Sequence, residues 1–297
     1  MLNSSISGPP GFATSVSSMS RSLDGKIFML GIGAQKAGTS WLHDYFKKRR
    51  DVFVPPVKEL HHFDARFRSD LCSDFDRRFR ERYEKFRARD GKSRAARKRL
   101  EILEARVRMI GDESAYRTYF ENAVPENCRV FGEITPAYSL LPEEGFRAIA
   151  SQFPRTRLIF LMRDPVDRLY SHLRMAERLD MLTGPAIEQF AAALRNPQYV
   201  ERCEYHRTLA NARSVFAPED IFIGFYETFF CDAELARLCD FLGIPFKPGD
   251  YGMPVNVSPH KTRLDAERVA MARKKLAPVY DFCRAEFGGK VPDSWLA

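Results

Sequence analysis

The chain alternates short, nearly unbroken apolar runs with longer amphipathic stretches. Residues 26–33 (Lys-Ile-Phe-Met-Leu-Gly-Ile-Gly) form an apolar run closed by glycines, which reads as a strand buried on both faces. Trp41, Leu42, Tyr45 and Phe46 then recur at i, i+1, i+4 and i+5, predicting a helix from Thr39 to about Lys48. A second strand, 52–54, is stopped by Pro55-Pro56, and 129–132, 157–162 and 220–226 read as further strands. Asp164-Pro165 supplies an N-cap and a first helical residue for the segment after 157–162, and Gly243 stops the last helix of the series. Strands alternating with helices predict an α/β fold: a parallel sheet with helices on both faces.

One segment breaks the alternation. Residues 73–110 are charged and helix-favouring, with an interruption at Asp90-Gly91, and predict a basic helical hairpin inside a helical insertion of about 65–125. Between Ala65 and Ile110 stand 16 Lys or Arg against 8 Asp or Glu, so this segment alone accounts for the whole chain's net charge of +8. Its aromatics Phe67, Phe75, Phe79, Tyr83 and Phe86 are spaced as a helix's apolar seam rather than as a base-stacking platform. No nucleic-acid partner is expected. The readings are a solvated hairpin, or contact through 65–110 with an anionic acceptor or a membrane surface; a non-enzymatic anion-binding module is the remaining alternative.

Residues 1–24, rich in Ser, Gly and Pro, lack the basic and apolar regions of a signal peptide and read as a flexible tail. Residues 25–297 then form one domain, for which 44% hydrophobic and 12% aromatic content is ample core material. No stretch approaches the ~18–20 apolar residues of a membrane span, and a cytoplasmic location is expected. The six cysteines include no CxxC pair and no His at metal spacing, so structural thiols and no metal are expected.

The chemistry concentrates at Gly33-Ala34-Gln35-Lys36-Ala37-Gly38-Thr39-Ser40, between a strand and a helix. Glycines let backbone amides close on an anion, the helix N-terminus adds partial positive charge, and Thr39 and Ser40 add hydroxyl donors. The loop differs from a Walker A motif, whose lysine directly follows the second glycine; here Thr39 takes that place and the lysine sits earlier, at Lys36. A single phosphate carrying a transferable group suits it better than a triphosphate with Mg²⁺. An atypical P-loop nucleotide or small-molecule kinase is the alternative enzyme.

Gln35 to Leu42 resembles the 5′-phosphosulfate loop of sulfotransferases that use PAPS (3′-phosphoadenosine-5′-phosphosulfate), and 157–172 is similar to that family's 3′-phosphate strand and helix. The resemblance implies a P-loop-like fold and PAPS as co-substrate, with PAP as its product. It implies donor contacts from Lys36, Ala37, Gly38, Thr39, Ser40, Trp41, Arg163 and Ser171. Lys58-Glu59-Leu60-His61-His62-Phe63-Asp64 resembles the Lys-Glu-x-x-Phe-Phe stretch of the heparan-type branch, where the glutamate is the catalytic base, with His62 in place of the first Phe. Glu59 is the implied base. His61 and His62 are its rivals, because the phenol- and steroid-type branch uses a histidine. Gly132-Glu133-Ile134-Thr135-Pro136-Ala137-Tyr138 also looks like the heparan branch, with Ile134 where a lysine is usual. Glu133 there is open to orienting Lys36 or the acceptor, or to a structural ion pair. Lys261 and Arg263 lie where the family folds a loop over the nucleotide. The expected activity is sulfuryl transfer to a hydroxyl or amine of a carbohydrate, lipid or small metabolite.

Overall fold

In the computed structural model, which describes residues 22–72, 74–88, 93–252 and 263–296, the apolar runs become five strands: β1 (Ile27–Gly33), β2 (Val52–Phe53), β3 (Val130–Ile134), β4 (Thr156–Met162) and β5 (Ile221–Phe225). All pair in parallel, in the order β2-β3-β1-β4-β5. The P-loop-like parallel sheet flanked by helices is thus the observed architecture. β1, β3 and β4 are almost wholly buried, as continuous apolar strands covered on both faces must be.

The strand order places a topological switch beside β1. Successive connections carry the chain to β2 and β3 on one side of β1, then across to β4 and β5 on the other. A crevice opens at the carboxyl ends of the strands at such a point. β1 delivers residues 34–38 there and β4 delivers Arg163. Helix α1 (Thr39–Lys47) leaves the first loop, and α7 (Pro165–Arg178) leaves the second. Asp164 caps α7 as its sequence predicts, its Oδ1 accepting from the amides of Val166 and Asp167 at 3.0 Å each.

Between β2 and β3 the chain builds α2 (His62–Phe67), α3 (Phe75–Arg87), α4 (Arg94–Arg108) and α5 (Glu113–Ala123). Helices α3 and α4 are the basic hairpin. Their aromatics do form a seam: Phe79 is buried, with the Arg106 guanidinium 4.7 Å from its ring centre, and Phe75 stacks on His61. Helix α6 (Glu143–Gln152) precedes β4. Among the described residues no helix is long and apolar enough to cross a membrane.

β3 also runs further than its apolar pattern suggested, so that Glu133 lies inside the strand. Gly132 beside it has no room for a side chain, since a Cβ would stand 1.7 Å from the Met29 carbonyl oxygen on β1. Gly132→Ala is expected to lower unfolding stability by roughly 3 kcal/mol or to prevent folding, because backbone rather than a movable side chain must give way. Urea denaturation of the purified variant checks this, and wild-type stability would contradict it.

Candidate functional site

The loop after β1 turns tightly. Lys36 has φ 75° and Gly38 φ 81°, and the Ala37 amide donates to the Ala34 carbonyl at 3.1 Å. Gly38 stands at the start of α1 with no side-chain cap, and the first-turn amides behind it, those of Thr39, Ser40 and Trp41, have no acceptor within the helix. A Cβ at Gly38 would also meet the Phe230 ring at 2.5 Å. Helix α1 therefore points an open amide end into the crevice.

Arg163 braces this loop from β4. Its Nη1 donates to the Lys36 carbonyl at 3.1 Å, and its guanidinium lies 4.5 Å from the Tyr226 ring centre. The possible ion pair with Asp167 is long, at 3.9 Å. Its Nε is buried with no hydrogen-bond partner among the described residues. Burial, together with the charges of Arg178, Arg163 and Arg174, lowers the Lys36 ammonium to about 8. Ser171, buried two turns into α7, lines the same cleft of about 620 Å³ as Lys36, Gly38, Thr39, Ser40, Trp41 and Arg163. Trp41 is stacked between Tyr45 and Tyr251 and donates from its indole to the Asp250 carbonyl at 2.8 Å. Arg263 lines an adjoining cavity of about 430 Å³ that shares Arg163 and Arg174 with the cleft. Lys261 lies outside the described residues.

Glu59 lines the same cleft, and its surroundings separate it from the two histidines. Its Oε1 accepts from Lys58 Nζ at 2.5 Å and its Oε2 lies 3.2 Å from His61 Nε2. Burial would raise the Glu59 carboxyl, but His61 and Lys58 outweigh it and hold the group at about 2. The other nitrogen of His61 is 2.8 Å from Asp64 Oδ2. Burial works against charge on His61 as well, yet Asp64 and Glu59 prevail and push it up to about 9. His61 is thus an imidazolium bridging two carboxylates at neutral pH. His62 points elsewhere: its ring stacks on Tyr116, and burial and the charges of Arg106 and Arg66 push it down to about 3.

Among the described residues Glu133 neither orients Lys36 nor makes an ion pair. Fully buried, it accepts from the Leu60 amide at 2.9 Å, Thr135 Oγ1 at 2.6 Å, Tyr116 Oη at 2.6 Å and Tyr138 Oη at 2.7 Å. Tyr138 Oη in turn accepts from the His62 amide at 3.1 Å. From the other side, Arg106 of α4 donates to the carbonyls of Leu60 and His61, the latter at 2.9 Å, and pairs with Asp76 at 2.6 Å. Sequence inspection missed Arg106. It is one of sixteen basic residues in its segment, and only its position on the apolar stripe of α4, with Ile102 and Leu103, set it apart.

His61 yields a direct prediction. Its raised pKa contributes stability that is complete below the usual 6.5 of an imidazole and is lost as pH rises through about 9. ¹H–¹⁵N NMR of the ring should report an imidazolium to about pH 9 in the wild type and a clearly lower transition in Asp64→Asn. A wild-type transition near 6.5 would contradict the bridge.

A family model described as "Sulfotransferase family" matches residues 27–248, three quarters of the chain. Among solved structures, a sulfotransferase from Alicyclobacillus acidocaldarius is similar at TM-score 0.66 and 19% identity, over 92% of this chain and 99% of that one. The sulfotransferase domain of the Synechococcus PCC 7002 olefin synthase aligns at TM-score 0.47 and 16% identity, over 84% and 93%. That of the curacin biosynthetic pathway aligns at 0.45 and 18%, over 85% and 97%. At 19% identity the first of these speaks for the fold alone, and nothing is drawn from the other two. No curated protein matches.

Proposed function

Since the chain belongs to the sulfotransferase family, we propose that it moves a sulfuryl group from PAPS to a hydroxyl or amine of its acceptor, with Glu59 as general base. The observation that carries this reading is the shared cleft, which gathers Lys36, the open amide end of α1, Arg163, Ser171 and Glu59. The buried, unpartnered Nε of Arg163 fits a nucleotide phosphate, for which a guanidinium offers a bidentate contact. Arg163 and Ser171 take the 3′-phosphate, the feature that distinguishes PAPS from ATP. Arg263 lines the cavity that adjoins Arg163 and is a clamp on the same phosphate.

Transfer is in line. A bond forms from the acceptor atom to sulfur as the bond from sulfur to the bridging phosphate oxygen breaks, and that electron pair stays on PAP. Lys36 and the amides and hydroxyls of Thr39 and Ser40 bear the growing negative charge, a preorganised electrostatic role. Glu59 takes the acceptor's proton. Its Oε1 must part from Lys58 to do so, which raises a proton affinity that the pair otherwise suppresses. The imidazolium of His61 stays on Oε2 and fixes the carboxylate's direction. This geometry favours Glu59 over both histidines, since one is already protonated and the other is turned into the Tyr116 ring.

Three outcomes test the reading. PAP should stabilise the protein in a thermal-shift assay and ATP should not; equal stabilisation by both would remove the 3′-phosphate site. Glu59→Ala should leave PAP binding intact while lowering turnover with radiolabelled PAPS by about 10²- to 10⁴-fold, and unchanged turnover would eliminate Glu59 as the base. PAP affinity should fall as pH rises through about 8, where Lys36 loses its charge, and Lys36→Arg should flatten that dependence.

A further inference from the structure

Of the two cations that hold Glu59, only one can let go. His61 is fixed: its ring lies between Glu59 and Asp64, at 3.2 and 2.8 Å, and stacks on Phe75 of the hairpin. Lys58 is a point charge on a flexible stem, with three rotatable donors. Its Nζ lies 2.5 Å from Glu59 Oε1, and Glu59 is the only carboxylate within ion-pair reach of it among the described residues. Both side chains line the cleft, Lys58 at 22% and Glu59 at 34% exposure. A pair that is open to water contributes little and yields readily to a stronger anion.

Lys58 is also placed to meet such an anion. His43 of α1 donates from Nε2 to the Pro55 carbonyl at 3.0 Å, which ties the start of this segment to the helix whose amide end opens into the cleft. The charge of Lys58 is felt at Lys36 as well as at Glu59. The other cations that share the cleft with Glu59 come from other elements: Lys36 after β1, Arg163 after β4, and Arg174 and Arg178 on α7. Resting on the PAPS reading, we infer that Lys58 is a further donor-binding residue: it leaves Glu59 for the oxygens of the 5′-phosphosulfate, and its departure frees Glu59 to act as the base. While Lys58 and His61 both hold Glu59, its carboxyl stays at about 2, a value that makes it a weak base. With Lys58 gone, the carboxyl rises and Oε1 opens to the acceptor, while His61 keeps its place on Oε2. The base is therefore idle in the empty site and is switched on by the donor.

The Glu59 carboxyl can be read by ¹³C NMR of the full chain labelled at the glutamate carboxyls, its signal identified by its loss in Glu59→Gln. Without nucleotide it should remain a carboxylate down to the lowest pH at which the protein is folded. PAP should raise its titration toward the ~4.3 of an ordinary glutamate, and adenosine 3′-phosphate, which lacks the 5′ group, should not. In Lys58→Met the titration should already be raised without nucleotide, and PAP should add much less to it than in the wild type. The same variant should bind PAP about tenfold more weakly and adenosine 3′-phosphate as the wild type does. No rise with PAP, an equal rise with adenosine 3′-phosphate, or unchanged PAP affinity in Lys58→Met overturns the proposal. So does a rise in Lys58→Met as large as in the wild type, since the nucleotide's charge then acts on Glu59 directly. Absence of PAP binding in the wild type sinks the donor reading first, and this proposal with it.

Discussion

Residues 59–62 are the constraint on which the site depends. Glu59 and His61 both adopt left-handed backbone conformations, with φ of 65° and 51°, at positions where neither is glycine. Each such residue costs about 1 kcal/mol or more and persists only where its surroundings over-determine it. Here the surroundings come from both sides. Glu133 and Tyr138 accept the amides of Leu60 and His62, and Arg106 donates to the carbonyls of Leu60 and His61. The alternating turns aim Glu59 into the cleft and leave Leu60 in the core. A charged side chain with ordinary loop freedom is thereby held to one direction.

The opposite charge balance governs the other part of the cleft. The sheet's switch point brings Lys36 and Arg163 together, and α7 adds Arg174 and Arg178. Burial, and then repulsion from these arginines, is what lowers Lys36. A bound anion would relieve that repulsion, so the cleft carries an electrostatic stress that favours anionic ligands. Arg163 joins the parts mechanically, because its guanidinium lines the cleft and also holds the Lys36 carbonyl.

The basic hairpin acquires a function in this arrangement that its charge does not suggest. Much of its charge is internally matched, as in Arg77 with Glu81 and Arg108 with Glu104, exposed pairs of the helical i, i+4 kind that contribute little. The buried Arg106 does the work instead. Its charge is set against Asp76, its guanidinium over Phe79, and its Nε and Nη2 donate to the Leu60 and His61 carbonyls beside Glu59. Phe75 covers the His61 ring from the same hairpin. The insertion therefore braces, from behind, the segment that carries Glu59.

The apolar runs, their lengths and their spacing sufficed for the parallel α/β class, since burial on both faces leaves the same mark wherever a strand lies in the sheet. The Gly-x-x-Lys-x-Gly loop and the Arg-Asp-Pro strand end were legible for a like reason: a tight anion-binding turn and a capped helix depend on neighbours in the chain. Strand order was not legible, because pairing joins residues a hundred positions apart, as with Met29 and Gly132. Nor was the role of Glu133, which the sequence left between two readings and which four hydrogen bonds made a third thing. The three candidate bases, Glu59, His61 and His62, lie within four positions of the chain, and only the resemblance, not their spacing, put Glu59 first. Only the tertiary structure gave them different partners, one facing the cleft, one charged between two carboxylates and one pressed against a buried tyrosine.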